Sequence, residues 1–124
     1  MSRLELIAHM KIRPGQLEGF QAQAAELVRL TQEKDTQTLR YDWFIDQDAM
    51  ECEVHELYVS EEGLIEHNAH IMEARELLFK EYAFDHRMSA YGEISQQLMD
   101  LADRHAGGIA VYSFLQGLEV SATV

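Results

Sequence analysis

The chain has 124 residues, 47% of them hydrophobic, and 22 acids against 10 bases give a formal charge of -12. That length fits one domain with a single core, and the scattered Arg and Lys residues would repel rather than hold a nucleic acid. No apolar run approaches the length of a membrane span, and a lone cysteine, Cys52, excludes an internal disulfide framework and points to the reducing cytoplasm.

The start, "MSRLELIAHMKI", is too polar and too regular for a signal peptide. Leu4, Leu6, Ala8, Met10 and Ile12 alternate with Glu5, Ile7, His9 and Lys11, which predicts a strand with one apolar and one mixed face. A first helix is expected from about Pro14 to about Lys34, with Pro14 opening it and Leu17, Phe20, Ala24, Leu27 and Leu30 on its apolar side. "TLRYDWFID" and "ECEVHELYV" read as the strands of a hairpin turning at "QDAM".

Ser60 stands as an N-cap before Glu61 and Glu62, and a second helix is expected from about Glu61 to Phe79. "HRMSAYG" predicts a fourth strand. Ser95 caps a short helix with Leu98, Leu101 and Ala102 inward, stopped by Gly107-Gly108. "IAVYSFLQGLEV" is apolar on both faces, which predicts a last strand buried on both sides.

The order predicts an α+β fold, a ferredoxin-like split βαβ plan with an antiparallel sheet and two helices on one face. The ferredoxin-like core spans about residues 3–93 of one domain, with the short helix and last strand at 95–120. Helices on one side leave the other side of the sheet uncovered. Back-to-back pairing with a second copy, a homodimer, is the expected way to cover it.

On the second helix Leu64, His67, Ile71, Ala74 and Leu78 follow a core-facing stripe, so His67 points to the sheet and His70 lies on the shoulder. His55 and Glu56 face opposite sides of their strand, and only one of them can share a space with His67. Taken alone, His67 reads as a hydrogen-bonded histidine at the edge of the core, and Tyr41 and Trp43 as packing residues. Together with His9, Glu56 and Tyr91 they outline an internal cavity containing an acid-base group. The His-x-x-His spacing of His67 and His70 is common by chance, and no second His or Cys pair supports a metal site. Nor is there a phosphate loop, a dinucleotide fingerprint or a Gly-x-Ser-x-Gly elbow, so no metal and no cofactor is expected.

The pattern "IAHMKIRPGQLEGFQAQAAEL…TLRYDWFID…ECEVHELYVSEEGLIEHNAHI" resembles the antibiotic biosynthesis monooxygenase family over about Leu4 to Gly92. The resemblance implies a dimeric α+β barrel, two ferredoxin-like sheets back to back with helices outside. It implies oxygenation of quinols, anthrones or similar polyphenols without metal or flavin, the substrate supplying the electrons once a proton is removed. By position, the resemblance makes His67 or His9 the base and Tyr41 or Tyr91 an orienting hydroxyl. It leaves Trp43, Glu56 and His70 around the substrate, with Glu56 setting a histidine's tautomer or remaining structural.

The haem-degrading relatives have an asparagine, a tryptophan and a ligating histidine where this chain has His9, His67 and about Leu77, so haem degradation is not implied. Two other classes stay open: a non-catalytic, aromatic-binding or stress-associated dimer, and a non-oxidative, isomerase-type enzyme on the same fold.

Overall fold

The first strand, β1 (Leu4–Ile12), sets the layout of the molecule. Leu4, Leu6, Ala8, Met10 and Ile12 are all buried, while Glu5, Ile7, His9 and Lys11 face the other side. The structure, a computed structural model, describes residues 3–105 and 108–118. β1 lies at the centre of a five-stranded sheet ordered β2-β3-β1-β4-β5, formed with β2 (Thr38–Asp46), β3 (Glu51–Tyr58), β4 (Ala83–Tyr91) and β5 (Ala110–Tyr112). The first four strands pair antiparallel, as the ferredoxin-like plan requires, and β5 joins β4 in parallel.

Helices α1 (Leu17–Lys34) and α2 (Glu61–Glu81) cover the apolar face of this sheet. Phe20 and Leu27 from α1 and Ile71 and Leu78 from α2 meet Ala8, Met10 and Val54 in the main core. A second cluster joins Leu4, Leu6 and Tyr58 to Leu64 and to Leu98 of α3 (Gln96–His105). Removal of these side chains from water is the main force holding the layers together. Among the described residues, no helix is long and apolar enough to cross a membrane.

Several boundaries differ from the sequence reading for local reasons. α1 begins at Leu17 rather than Pro14, because Gly15 takes φ 79° and a left-handed residue cannot continue a right-handed helix. Ser60 occupies the N-cap position of α2, but its hydroxyl donates to Glu62 and does not cap the backbone. Ser95 does cap α3, its Oγ accepting from the Leu98 N–H. β4 starts three residues early, at Ala83, and carries a register shift opposite His9 and Lys11. Of the glycines expected to stop α3, Gly107 lies outside the described residues.

The last strand departs most. Among the described residues of the segment, Ala110–Tyr112 pair with the sheet, and all three are exposed rather than buried on both sides. Phe114, Leu115 and Leu118 beyond them are 80%, 94% and 90% exposed; Glu119 and Val120 lie outside the described residues. The uncovered sheet face is also more mixed than expected. The wholly apolar face of β1 is the one that the helices cover, and the open face sets Ile7, Phe44, Leu57 and Tyr91 among charged neighbours.

Candidate active site

Strand β3 alternates Cys52, Val54, Glu56 and Tyr58 inward. Three are apolar or largely so; Glu56 is a carboxyl group in the floor of the core, 6% exposed. Tyr41 stands directly across from it in the β2–β3 pairing, with Trp43 two residues along on the same face. Above this floor α2 lowers His67, which is 1% exposed. Its ring lies 4.6 Å from that of Tyr41 and 5.6 Å from that of Tyr58, centre to centre. Tyr41, Trp43, Glu56 and His67 line one small internal cavity of about 30 Å3.

His67 is fixed by a residue that the sequence reading did not single out. Asp35 ends α1, and its carboxylate accepts hydrogen bonds from His67 Nδ1 at 2.7 Å and from His70 Nδ1 at 2.6 Å. The Thr38 hydroxyl donates to it as well, at 2.6 Å. Burial raises the Asp35 carboxyl, but the bonds from His70, Thr38 and His67 outweigh that and hold it below the usual carboxylate range. An ionised carboxylate only accepts, so His67 carries its proton on Nδ1 and leaves Nε2 with the lone pair. Burial lowers the His67 imidazole, partly offset by Asp35, and the neutral ring is a base.

Glu56 is shifted the other way. Burial pushes its carboxyl up to about 7, against the hydrogen bond that it accepts from Tyr58 and the nearby Arg75 charge. One cavity thus holds a neutral imidazole and a carboxyl group that keeps its proton close to neutrality. Environments that separate two titratable groups in this way define an acid and a base. The Tyr41 phenol is raised by burial and by Glu56, so it stays a neutral donor. Trp43 Nε1–H is buried beside the Tyr41 phenol, close enough to lower it slightly but without a well-aligned hydrogen bond among the described residues, so a ligand oxygen would satisfy it better.

The structure brings together His67, Glu56, Tyr41 and Trp43 but not every expected residue. His9 and Tyr91 lie on the opposite, open face of the sheet. His9 stands beside Arg87 and Glu51, and Tyr91 stacks on Tyr112 at 5.4 Å. The alternation of β1 and β4 makes this unavoidable, since both residues are out of phase with the buried set. They cannot act on a group in the His67 cavity of the same chain. His70 does not line that cavity either; its hydrogen bond to the site is the one to Asp35.

Three further residues were not anticipated: Asn68, Arg75 and His86 all line the cavity. His86, facing Phe79 at 4.5 Å, is lowered to about 4 by burial and then by Arg75, so it is neutral. Asp35 did leave a trace in the sequence. An acid immediately after a helix opposes the helix dipole, and such a position needs a compensating partner.

Asp35, Glu66 and His70 place one ligand atom each within 4.8 Å of one another. Both carboxylates already accept hydrogen bonds from the protein. Glu66 accepts from the Thr36 N–H at 2.8 Å and hydroxyl at 2.7 Å, and Asp35 holds both histidines. The cluster fits the tie between α1, β2 and α2 better than a metal.

No family model matches the sequence, and no curated protein does. Solved structures do. MupZ from Pseudomonas fluorescens is 20% identical, covering 100% of this chain and 98% of its own, with a TM-score of 0.79. A structure described as an antibiotic biosynthesis monooxygenase is 23% identical over 74% of this chain and 99% of its own, TM-score 0.65. Rv0793 from Mycobacterium tuberculosis is 21% identical over 77% and 98%, TM-score 0.64. The chain shares their fold, and the family resemblance read from its sequence is matched by that likeness.

Proposed function

We propose that the protein is a small-molecule monooxygenase that draws no electrons from a cofactor and acts on a quinol-like or polyphenolic compound. The observation that carries this is the pairing, in one inner cavity, of His67 anchored by Asp35 with the proton-bearing Glu56. The fold shared with a structure described as an antibiotic biosynthesis monooxygenase supports the oxygenase class.

The chemistry follows from those groups. His67 Nε2 takes a proton from an activated C–H or O–H of the substrate. The resulting anion gives one electron to O2, and the radical pair closes to a carbon-bound peroxide. The His67 imidazolium returns its proton to the outer peroxide oxygen, and the freed Nε2 then takes the second C–H proton as the O–O bond breaks to give the ketone. The outer oxygen leaves as hydroxide and becomes water with a proton from Glu56, and transfer from the His67 imidazolium back to Glu56 resets both groups. A methylene and O2 thus become a carbonyl and water, with all four electrons coming from substrate. Trp43 Nε1–H and the Tyr41 hydroxyl are the donors facing the developing oxyanion.

One observation favours a second reading. An acid and a base facing one cavity suffice for a proton shift without O2, as in an isomerase. The homodimer belongs to the same proposal. The exposed Phe114, Leu115 and Leu118 and the apolar residues of the open face are surface that a second copy would cover.

Oxygen uptake with naphthoquinols, catechols and anthrones, wild type beside His67→Ala, tests the function. Uptake above autoxidation that falls at least about a hundredfold in the variant is expected. No uptake, with substrate C–H exchange in deuterated water still dependent on His67, would replace the oxygenase with the proton-shift enzyme.

A further inference from the structure

The inner cavity of about 30 Å3 has room for little more than a water molecule, so no quinol fits inside it whole. Between α2, β4 and α3 lies a second space of about 840 Å3, a size typical of ligand pockets. Its walls include Leu64, Met72, Phe79, Phe84, Leu98 and Leu101. The two spaces adjoin: Asn68, Arg75, His86 and Met88 form walls of both. A molecule lying in the outer groove would have to pass these four side chains, one end first, to reach Glu56 and His67.

Arg75 stands at this waist. Its guanidinium donates to Asn68 Oδ1 at 3.2 Å and makes no ion pair among the described residues. In a chain with 22 acids that is unusual for a half-buried cation. It has donors to spare, in the fork geometry suited to an oxyanion. His86 beside it is neutral, and the acid that shares the inner cavity with it, Glu56, holds its proton up to about pH 7.

On the reading of the site as a proton-abstracting enzyme, we propose that the substrate is an elongated apolar molecule with an ionised phenolic or enolic oxygen at its reacting end. Arg75 holds that oxygen at the waist, and the apolar body lies along α2 and α3 in the groove. Arg75 thereby keeps that oxygen ionised while His67 faces the neighbouring C–H, and it sets which end of the molecule enters. The length of the groove, rather than the inner cavity, selects the substrate.

Binding tests this without turnover. The probe is a dodecyl-substituted hydroxynaphthoquinone, ionised at neutral pH and already at the quinone oxidation level. It is compared with its methyl analogue and with the dodecyl naphthoquinone lacking the hydroxyl. The dodecyl anion is expected to bind at least about tenfold tighter than either, the increment of one charge-assisted hydrogen bond or of a few buried methylenes. Arg75→Gln should reduce it to the level of the neutral quinone. Asn68→Asp, which sets a carboxylate against Arg75, should do the same if Arg75→Gln does not fold. Met72→Arg in the groove wall should remove the advantage of the long chain and spare the methyl anion.

Equal binding of anion and neutral quinone would overturn the role of Arg75, and equal binding of methyl and dodecyl anions would overturn the role of the groove. A dodecyl probe that splits a dimer in sedimentation would assign the groove to a second copy instead, also overturning the proposal. Tight, Arg75-dependent binding without oxygen uptake would fail the oxygenase reading alone. Oxygen uptake indifferent to charge and chain length would fail this inference alone.

Discussion

Asp35 Oδ2 accepts the His67 Nδ1 proton at 2.7 Å, tying the last residue after α1 to the middle of α2 inside the protein. The Asp35 side chain is 2% exposed, and its other oxygen takes His70 Nδ1. An acid in this position gains nothing from the helix dipole, so its partners alone keep it ionised.

Asp35→Asn keeps the shape but removes the charge, and the amide must offer an N–H to one of the two imidazoles. Destabilisation of about 1.5–3 kcal/mol is expected for loss of charge-assisted bonds. The sharper readout is the nitrogen spectrum of His67. In wild type Nδ1 carries the proton; in the variant the tautomers mix, and turnover falls even where the protein stays folded. An unchanged Nδ1–H signal in Asp35→Asn would remove the carboxylate from its orienting role.

The same two groups set a pH profile for kcat/KM. His67 must be neutral, and burial lowers it, so the acid limb has its midpoint below the ordinary 6.5. Glu56 must hold its proton, so activity falls again through about pH 7. Glu56→Gln should lose the basic limb and keep the acid one. A profile flat from pH 5 to 9 would show that neither group transfers a proton in the rate-determining step.

Glu56 also predicts how stability depends on pH. Its folded-state value, about 7, lies above the ordinary 4.5, so between those values the folded chain holds more protons than the unfolded one. Stability therefore falls as pH rises from 4.5 through about 7, by up to about 3 kcal/mol, and the loss is complete above that. Glu56→Gln retains an acceptor for Tyr58 and has no charge to bury. Urea midpoints should show it equal to wild type near pH 4.5 and more stable at pH 8. A variant less stable than wild type at pH 8 would mean that the carboxylate is well solvated there.

Most of the fold was legible because alternation in β1 and β3 and the stripe through Leu64, His67 and Ile71 report burial directly. The same periodicity placed Glu56 and His67 in one space. It should also have separated His9 and Tyr91 from them, since phase along a strand decides the face. Arg75 and His86 were invisible because no periodic pattern marks a waist between two cavities, and Asp35 left only the indirect trace of an acid set against a helix dipole. The C-terminal segment misled because its apolar residues were read as core. In the folded chain they lie at the surface, where composition alone cannot distinguish core from interface.

That segment gives a last prediction. Phe114 and Leu115 are 80% and 94% exposed, so their own chain gains little from them. If a second copy covers them, Phe114→Ser with Leu115→Ser should weaken the dimer at least about tenfold, the effect of losing one well-packed anchor. The unfolding free energy at a concentration where the variant is monomeric should match that of monomeric wild type within about 0.5 kcal/mol, as for other exposed positions. Sedimentation velocity over a hundredfold concentration range separates the two effects. A variant that associates like wild type would leave the segment as surface and move the dimer contact to Ile7, Phe44 and Tyr91 on the open face of the sheet. Phe44→Ser would then be the change that dissociates it.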